Sequence, residues 1–239
     1  MQKNLFVVSS AIDTPLSIYS KAVRFAQTLQ TMQSIQKYAP NSDIVILDAG
    51  QIALENSDKD YLLEQGCTML IDYTQEPFVQ NTQATQPYDV IKNLIELNIF
   101  HNYYQQLHAS GKSYERIFKL SGRYVLNEHF DLAQHLNAHG QVVVKGPLKT
   151  QFRAEITNNA QWQYMSRLVS FDWKMLGLMV EVYAQMCHKM SEMINSGHYL
   201  DIEHLLFQYL PPDKVRTVSE FEHIGVSGRL GGQGLWVHD

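Results

Sequence analysis

Apolar positions fall along the first 150 residues in two alternating rhythms. Residues 4–10 (NLFVVSS) form a continuous apolar run that ends in two small polar residues. That is the pattern of a parallel strand buried on both faces and running into a loop. Thr14 and Pro15 then read as an N-cap with proline at the first helical position. Ile18, Ala22, Phe25, Leu29 and Met32 recur at steps of three and four, so an amphipathic helix is predicted up to the Pro40-Asn41 break. Residues 43–48 (DIVILD) predict a second buried strand. Ser57 and Asp60 resemble a capping box for a short helix that stops at Gly66, and residues 67–71 (CTMLI) predict a third strand. Such alternation argues for a parallel sheet with crossover helices.

The polar, aperiodic stretch 80–86 (QNTQATQ) is predicted as a loop. Pro87 opens a long helix to about Leu107, with Val90, Leu94, Leu97, Tyr104 and Leu107 on one stripe and Gly111 closing it. Residues 114–120 (YERIFKL) predict the next strand, followed by Ser121-Gly122-Arg123-Tyr124. A short helix over 130–138 and a strand over 141–145 (QVVVK), stopped by Gly146-Pro147, complete this half. Beyond it, Asp172 suits the cap of a helix reaching Asn195, with Gly197 after it, and a shorter helix covers 201–209 before Pro211-Pro212. The tail from Ile224 holds Gly228, Gly231, Gly232 and Gly234. With no repeat and no linker composition, the expectation is one α/β domain over 1–239 with a helical C-terminal part.

Composition narrows the function classes. The 239 residues carry a net charge of −5 and no basic block, which excludes a nucleic-acid binder that relies on backbone phosphates. A local basic pocket needs no basic protein. Cys67 and Cys187 make neither a disulfide framework nor a zinc cluster. The apolar run 5–8 is too short for the core of a secretory signal. The run 175–184 is interrupted by Glu181 and falls short of the roughly 20 residues of a membrane span. A soluble, cytoplasmic protein without a transmembrane segment is expected.

In open α/β sheets ligands bind beyond the carboxyl ends of the strands. Three predicted strand ends carry small polar or charged residues there: Ser9-Ser10, Asp48 and Ser121-Gly122-Arg123. Gly122 permits close backbone approach, and Arg123 offers a fork of donors suited to phosphate or carboxylate. A turn glycine followed by a surface arginine is the plainer alternative.

The stretch 116–126 (RIFKLSGRYVL) resembles the F-K-(I/L)-S-G-R-Y signature of a set of bacterial and phage glycosyltransferase-like proteins. These have a GT-A, nucleotide-diphospho-sugar transferase type of fold. Further segments are similar in order: LFVVSS at the start, Lys92 with Glu96 on the long helix, SRLVSF over 166–171, DIEH over 201–204 and IGVSG over 224–228. The resemblance implies a mostly parallel sheet flanked by helices. It also implies transfer of a sugar from a nucleotide-diphosphate sugar to a glycan, a lipid-linked or another hydroxyl acceptor. Residues 1–150 would then be the nucleotide-binding part and 151–239 the acceptor side with a C-terminal loop.

On this resemblance Ser9, Ser10 and Asp48 would bind the nucleoside. Ser121, Gly122, Arg123 and Tyr124 would meet the donor, with Lys92 and Arg123 at its diphosphate. Arg229, in the glycine-rich stretch 228–234, would close over the phosphates unless that stretch is a frayed tail. Asp201, Glu203 and His204 would line the acceptor side, where one of them takes the hydroxyl proton. A capped amphipathic helix accounts for Asp201 as well.

The chain also departs from the family pattern. GT-A enzymes usually carry an Asp-x-Asp pair where this chain has Ser121-Gly122-Arg123, and no carboxylate follows until Glu128. Asp58-Lys59-Asp60 sits at the start of a predicted surface helix and reads as charge on a helix dipole. Basic residues are therefore expected to neutralise the leaving diphosphate: Lys92, Arg123 and, less well placed by strand alternation, Lys119. No metal ligand is assigned, and Mn²⁺ or Mg²⁺ stays open as a cofactor. His135 and His139 are four apart but lack a third ligand nearby, His101 and Cys187 read as core, and His223 beside Glu220 and Glu222 is a remote metal candidate. The chain has neither G-x-S-x-G nor a phosphate-loop motif, which removes serine hydrolase and kinase chemistry. Two rivals remain: a non-catalytic nucleotide- or glycan-binding protein on the same fold, and a nucleotidyltransferase, which needs metal-binding carboxylates.

Overall fold

A computed structural model describes residues 2–229 and 234–239 of the chain. In chain order it runs β1 (Asn4–Ser10), α1 (Lys21–Tyr38), β2 (Ser42–Asp48), α2 (Asn56–Glu64), β3 (Met69–Asp72), α3 (Pro77–Thr85), α4 (Tyr88–Ala109) and β4 (Arg116–Ser121). Then follow β5 (Tyr124–Leu126), α5 (Leu132–Leu136), β6 (Val142–Lys149), α6 (Ala154–Thr157), β7 (Trp162–Asp172), α7 (Leu176–Asn195) and α8 (Ile202–Tyr209). The short strands β8 (Val215–Val218), β9 (Val226–Arg229) and β10 (Trp236–His238) come last.

The main sheet has the order β3-β2-β1-β4-β7-β6-β8, and the small sheet the order β10-β9-β5. In the main sheet β7 alone runs against its neighbours; the β1–β2, β1–β4, β2–β3 and β6–β8 pairs are parallel. The apolar runs explain the order. Leu5 and Val7 of β1, Val45 and Leu47 of β2 and Ile117 of β4 enter one core with α4, α7 and α8. Phe6, Val8, Ile44, Ile46, Phe118 and Leu120 alternate into the other, beneath α1 and α2. A strand buried on both faces is stable only inside a sheet covered on both sides. Across the β1–β4 pair the rings of Phe6 and Phe118 stack at 4.4 Å.

Several elements differ from the sequence expectation. The first helix starts at Lys21 behind the N-cap Ser20, not at Pro15. Thr14 and Ser17 spend their hydroxyls on the N–H groups of Leu16 and Tyr19, local bonds that compete with a helix. The polar stretch 80–86 largely belongs to α3, whose apolar anchors Phe78 and Val79 pack into the α4 core. Glu55, not Ser57, takes the N-cap position of α2, without a side-chain capping bond. The second strand of the signature half, β6, runs on past Gly146-Pro147 with register shifts. The C-terminal part holds its two expected helices and, in addition, β7 and β8 of the main sheet and β9 and β10 of the small one. His135 is buried against Ser170 Oγ at 2.8 Å, and burial with the nearby Arg116 pushes its pKa down to about 3. It is a core group, not a metal ligand. Among the described residues no helix is long and apolar enough to cross a membrane.

Candidate functional site

Chain order reverses in the sheet at β1, with β2 on one side and β4 on the other, so a crevice opens beyond their carboxyl ends. A cleft occupies this place, with about 890 Å³ of empty space, its open mouth included. Ser9 and Ser10 at the end of β1, the loop residues Thr14, Ser17 and Tyr19, Lys92 and Glu96 of α4, and Ser121 and Arg123 after β4 all line it.

Gly122 sets the turn. Its N–H donates to Ser9 O at 2.8 Å, tying the end of β4 to the end of β1. A Cβ here would lie 3.0 Å from that same oxygen, so only glycine fits without a shift. Arg123 follows directly and lines the cleft. Tyr124 goes elsewhere: it is buried, its carbonyl accepts from Thr31 Oγ1 at 2.9 Å, and the Arg167 guanidinium lies 5.7 Å from its ring centre.

Among the described residues Lys92 and Arg123 have neither an ion pair nor a hydrogen bond. Lys119 is different. It is 2% exposed, its Nζ lies 2.7 Å from Glu96 Oε1, and it donates to Ser166 O at 2.6 Å. Glu96 also accepts from Ser9 Oγ at 3.0 Å. Burial works to raise the Glu96 pKa, but Lys119 outweighs it and holds the carboxyl below its ordinary value. The expected diphosphate role of Lys119 therefore fails on geometry: its charge is already neutralised and it does not line the cleft.

Asp48 is also spent inside the fold. It is fully buried, and its carboxylate accepts from the N–H groups of Ile12 at 2.9 Å and Gly50 at 3.5 Å. Burial raises its pKa. It holds the loop after β1, and its neighbour Ala49 is the residue that reaches the cleft. A divalent cation of the kind the family resemblance brings up needs carboxylate oxygens. At the end of β4 the donors are a serine hydroxyl and a guanidinium, and among the described residues the one lining carboxylate, Glu96, is bound to Lys119. This donor set does not fit such an ion.

The acceptor-side candidates sit on α8, which packs on β7. Asp201 caps the helix by accepting from His204 N at 3.1 Å. His204 is wholly buried, with Nδ1 2.6 Å from Asp201 Oδ1 and Nε2 2.7 Å from Thr150 Oγ1. The Phe152 ring stacks on it at 5.7 Å. Glu203 accepts from Ser166 N at 3.1 Å and Ser166 Oγ at 3.2 Å. Burial, then the Asp201 charge, raise its pKa. None of the three lines the cleft. A continuous set of bonds, Ser9–Glu96–Lys119–Ser166–Glu203, links them to it. Ser166 and Thr150 were missed by sequence reasoning. Ser166 carried a signal, since it opens the SRLVSF segment, but Thr150 carried none.

Arg229 is exposed at the end of β9 and donates to Gly234 O at 3.0 Å. A Cβ on Gly234 would lie 3.3 Å from Tyr19 Oη, so this stretch borders the cleft loop. Leu230, Gly231, Gly232 and Gln233 of the glycine-rich stretch lie outside the described residues. His223 packs against His129, away from the cleft.

No protein-family model matches the chain, and no curated protein matches it by sequence. Solved structures match it in shape. The mannosyltransferase Ktr4p from S. cerevisiae in complex with GDP has a TM-score of 0.59 at 10% identity, over 90% of this chain and 69% of that one. Core-mannan synthase A (CmsA/Ktr4) from Aspergillus fumigatus, in its Mn/GDP form, gives 0.56 at 8% identity, over 91% and 73%. The galactosyltransferase LgtC in complex with donor and acceptor sugar analogs gives 0.52 at 12%, over 90% and 73%. The likeness is one of fold: a GT-A-like α/β architecture on a mostly parallel seven-stranded sheet.

Proposed function

We propose that the cleft binds a nucleotide-diphosphate sugar and that the protein is a glycosyltransferase moving the sugar to a glycan, lipid-linked or other hydroxyl acceptor. One observation carries this reading. Two cations that make no close ion pair or hydrogen bond among the described residues, Lys92 and Arg123, line one cleft at the carboxyl ends of the strands in a GT-A-like fold. Two of the fold neighbours hold GDP. The F-K-L-S-G-R-Y stretch agrees with membership of the signature family, whose serine-glycine-arginine stands in the turn after β4.

When the anomeric C–O bond breaks, negative charge grows on the diphosphate oxygen that leaves. Lys92, Arg123 and the Ser121 hydroxyl are the groups that meet it, and preorganised donors are worth most where charge develops. A hydrogen bond to a charged group contributes about 1.5–3 kcal/mol. Ser9, Ser10 and Arg229 complete the donor side, on the residue 1–150 part and the C-terminal stretch. Residues 151–239 supply the acceptor side. There Glu203, whose pKa burial and the Asp201 charge raise, is the candidate to take the acceptor proton once ionised and reached by the acceptor, and Asp201 orients His204 toward Thr150. The protein works in the cytoplasm, without nucleic acid.

The test is thermal unfolding against nucleoside diphosphates and nucleotide-sugars, with and without a chelator. A ligand at a hundred times its Kd adds about 2.7 kcal/mol. One nucleoside diphosphate is expected to stabilise the protein equally with chelator, and Arg123→Ala to lose the effect. Stabilisation only with metal, or unchanged affinity in Arg123→Ala, refutes the diphosphate role. No shift with any nucleotide puts the non-catalytic reading in its place.

A further inference from the structure

We propose that Glu128, His129 and His238 form a binding site for a divalent transition-metal ion of the zinc class, on the surface and apart from the cleft. One ligand atom from each lies within 4.8 Å of the others. Sequence spacing does not show this. Glu128 and His129 follow β5, while His238 ends β10. The small sheet joins them: Val125 pairs with Ser227, and Ser227 pairs with His238.

The surroundings are arranged as ligand support. His238 Nε2 lies 3.6 Å from Glu128 Oε1. Its other ring nitrogen, Nδ1, lies 2.8 Å from Ser227 Oγ. Ser227 Oγ accepts from Asn127 Nδ2 at 2.8 Å and keeps a lone pair for an Nδ1–H. In the tautomer that carries its proton on Nδ1, the Nε2 lone pair faces Glu128 and is open to a metal ion. Asn127 is 6% exposed and holds both halves of the cluster. Its Oδ1 accepts from His129 N at 3.0 Å, and its Nδ2 donates to the Asp239 carbonyl at 3.2 Å. His223 stacks on His129 at 4.2 Å and 13°, which fixes that ring's plane. Partners of this kind orient metal-binding imidazoles.

The donor chemistry selects the ion. Two imidazoles and one carboxylate suit Zn²⁺ and its first-row neighbours, whereas Ca²⁺ and Mg²⁺ want oxygen alone. Exposure leaves further positions for water. Lys37 of α1 lies over the Tyr38 ring at 4.6 Å and also acts on Glu128 through its charge. The location separates this site from any ion at a diphosphate. Lys37, Tyr38 and Glu128 border one groove at the end of α1 that leads into the start of β2, and the cleft lies at the other ends of the strands. The bound ion would tie β10 to the segment after β5.

The experiment uses the full chain without a histidine tag, stripped by chelator. Co²⁺ is titrated while its visible d–d absorption is followed, Zn²⁺ is used to displace it, and thermal unfolding is read with and without Zn²⁺. A Co²⁺ band lost on adding Zn²⁺, and a Tm raised by Zn²⁺, are expected. His129→Ala and His238→Ala should each weaken binding at least about tenfold, and His139→Ala, an exposed histidine outside the cluster, should not. Unfolding of the metal-free variants at the wild-type Tm shows that they still fold. No band and no shift overturns the site. So does a His129/His238 double variant that binds as the wild type does, since the ion then sits elsewhere. Neither readout involves donor or acceptor, so the outcome is independent of transferase activity.

Discussion

Lys119→Met removes the positive end of the Ser9–Glu96–Lys119–Ser166–Glu203 set while keeping the length of the side chain. Lys119 is 2% exposed, and Glu96, its partner at 2.7 Å, is 24% exposed. The variant leaves a largely buried carboxylate with the Ser9 hydroxyl as its hydrogen-bond partner and the charge of Arg123 at longer range. Breaking a buried pair by removing one partner costs roughly 3–5 kcal/mol. Each kcal/mol shifts Tm by about 2–4 °C for a chain of this size, so a fall of about 10 °C is expected. The double variant Lys119→Met/Glu96→Gln should recover most of it, because a neutral amide needs no counter-ion. The pH dependence gives a second sign. In the wild type the Glu96 pKa is lowered, so its stabilising contribution is present above the unfolded glutamate value and is lost as pH falls through the folded one. In Lys119→Met the largest opposing influence is gone and burial is resisted only by the Ser9 hydroxyl and the Arg123 charge, so the Glu96 pKa rises relative to the wild type and the variant should lose less stability than the wild type on acidification. The assay is urea unfolding of the three proteins across the acid range. A single variant within 1 kcal/mol of the wild type, or a double variant no better than the single, refutes the pairing as the source of stability.

Gly122→Ala places a methyl group 3.0 Å from Ser9 O; overpacking of this kind costs about 1–3 kcal/mol. Stability by denaturant titration should drop by that amount, and donor-induced stabilisation should weaken with it, since Arg123 moves with the turn. Ser166→Ala removes the hydroxyl that donates to Glu203 at 3.2 Å. That bond lowers the Glu203 pKa, so its loss should move the acid limb of the kcat profile to higher pH; a limb that stays in place removes Glu203 as the base.

How much of this was legible in the sequence depends on burial and length. Strands β1, β2 and β4 were readable because their apolar runs are continuous, the signature of burial on both faces. Helix α3 was hidden because only Phe78, Val79 and Thr82 of its polar stretch turn inward. β7 begins with mostly exposed or half-buried residues, runs through four buried ones and closes on the half-buried Asp172, so no single period covers its length. β9 and β10 are four and three residues long, too short to carry a period, and exist because the small sheet pairs them. At the site, Ser9, Ser10, Lys92, Ser121 and Arg123 do meet, because strand ends and the helix between them are set by topology. Asp48 and Lys119 were placed in the ligand site wrongly for one shared reason. A charged residue's type does not tell whether the fold supplies its counterpart, and backbone N–H groups and Glu96 supply it here.

That distinction between spent and unspent charge also accounts for how a chain of net charge −5 would make the anion-binding cleft proposed above. Lys119, buried behind the cleft wall, neutralises Glu96 where that carboxylate lines it. Glu203 is held by Ser166 and has its ionisation suppressed by burial. Asp48 is turned into the loop. Each of these three carboxylates is thus bound to a donor inside the fold, and Lys92 and Arg123 keep their charge for the opening. Field lines concentrate in such a crevice between low-dielectric walls, so two cations there attract an anion although the whole molecule is acidic. In a metal-dependent GT-A site, carboxylates would hold a cation against the diphosphate. In this arrangement the serine-glycine-arginine turn brings the positive charge itself, and free carboxylates beside it would work against binding. The burial and pairing of Asp48, Glu96 and Glu203 are therefore part of the same design as the exposure of Lys92 and Arg123.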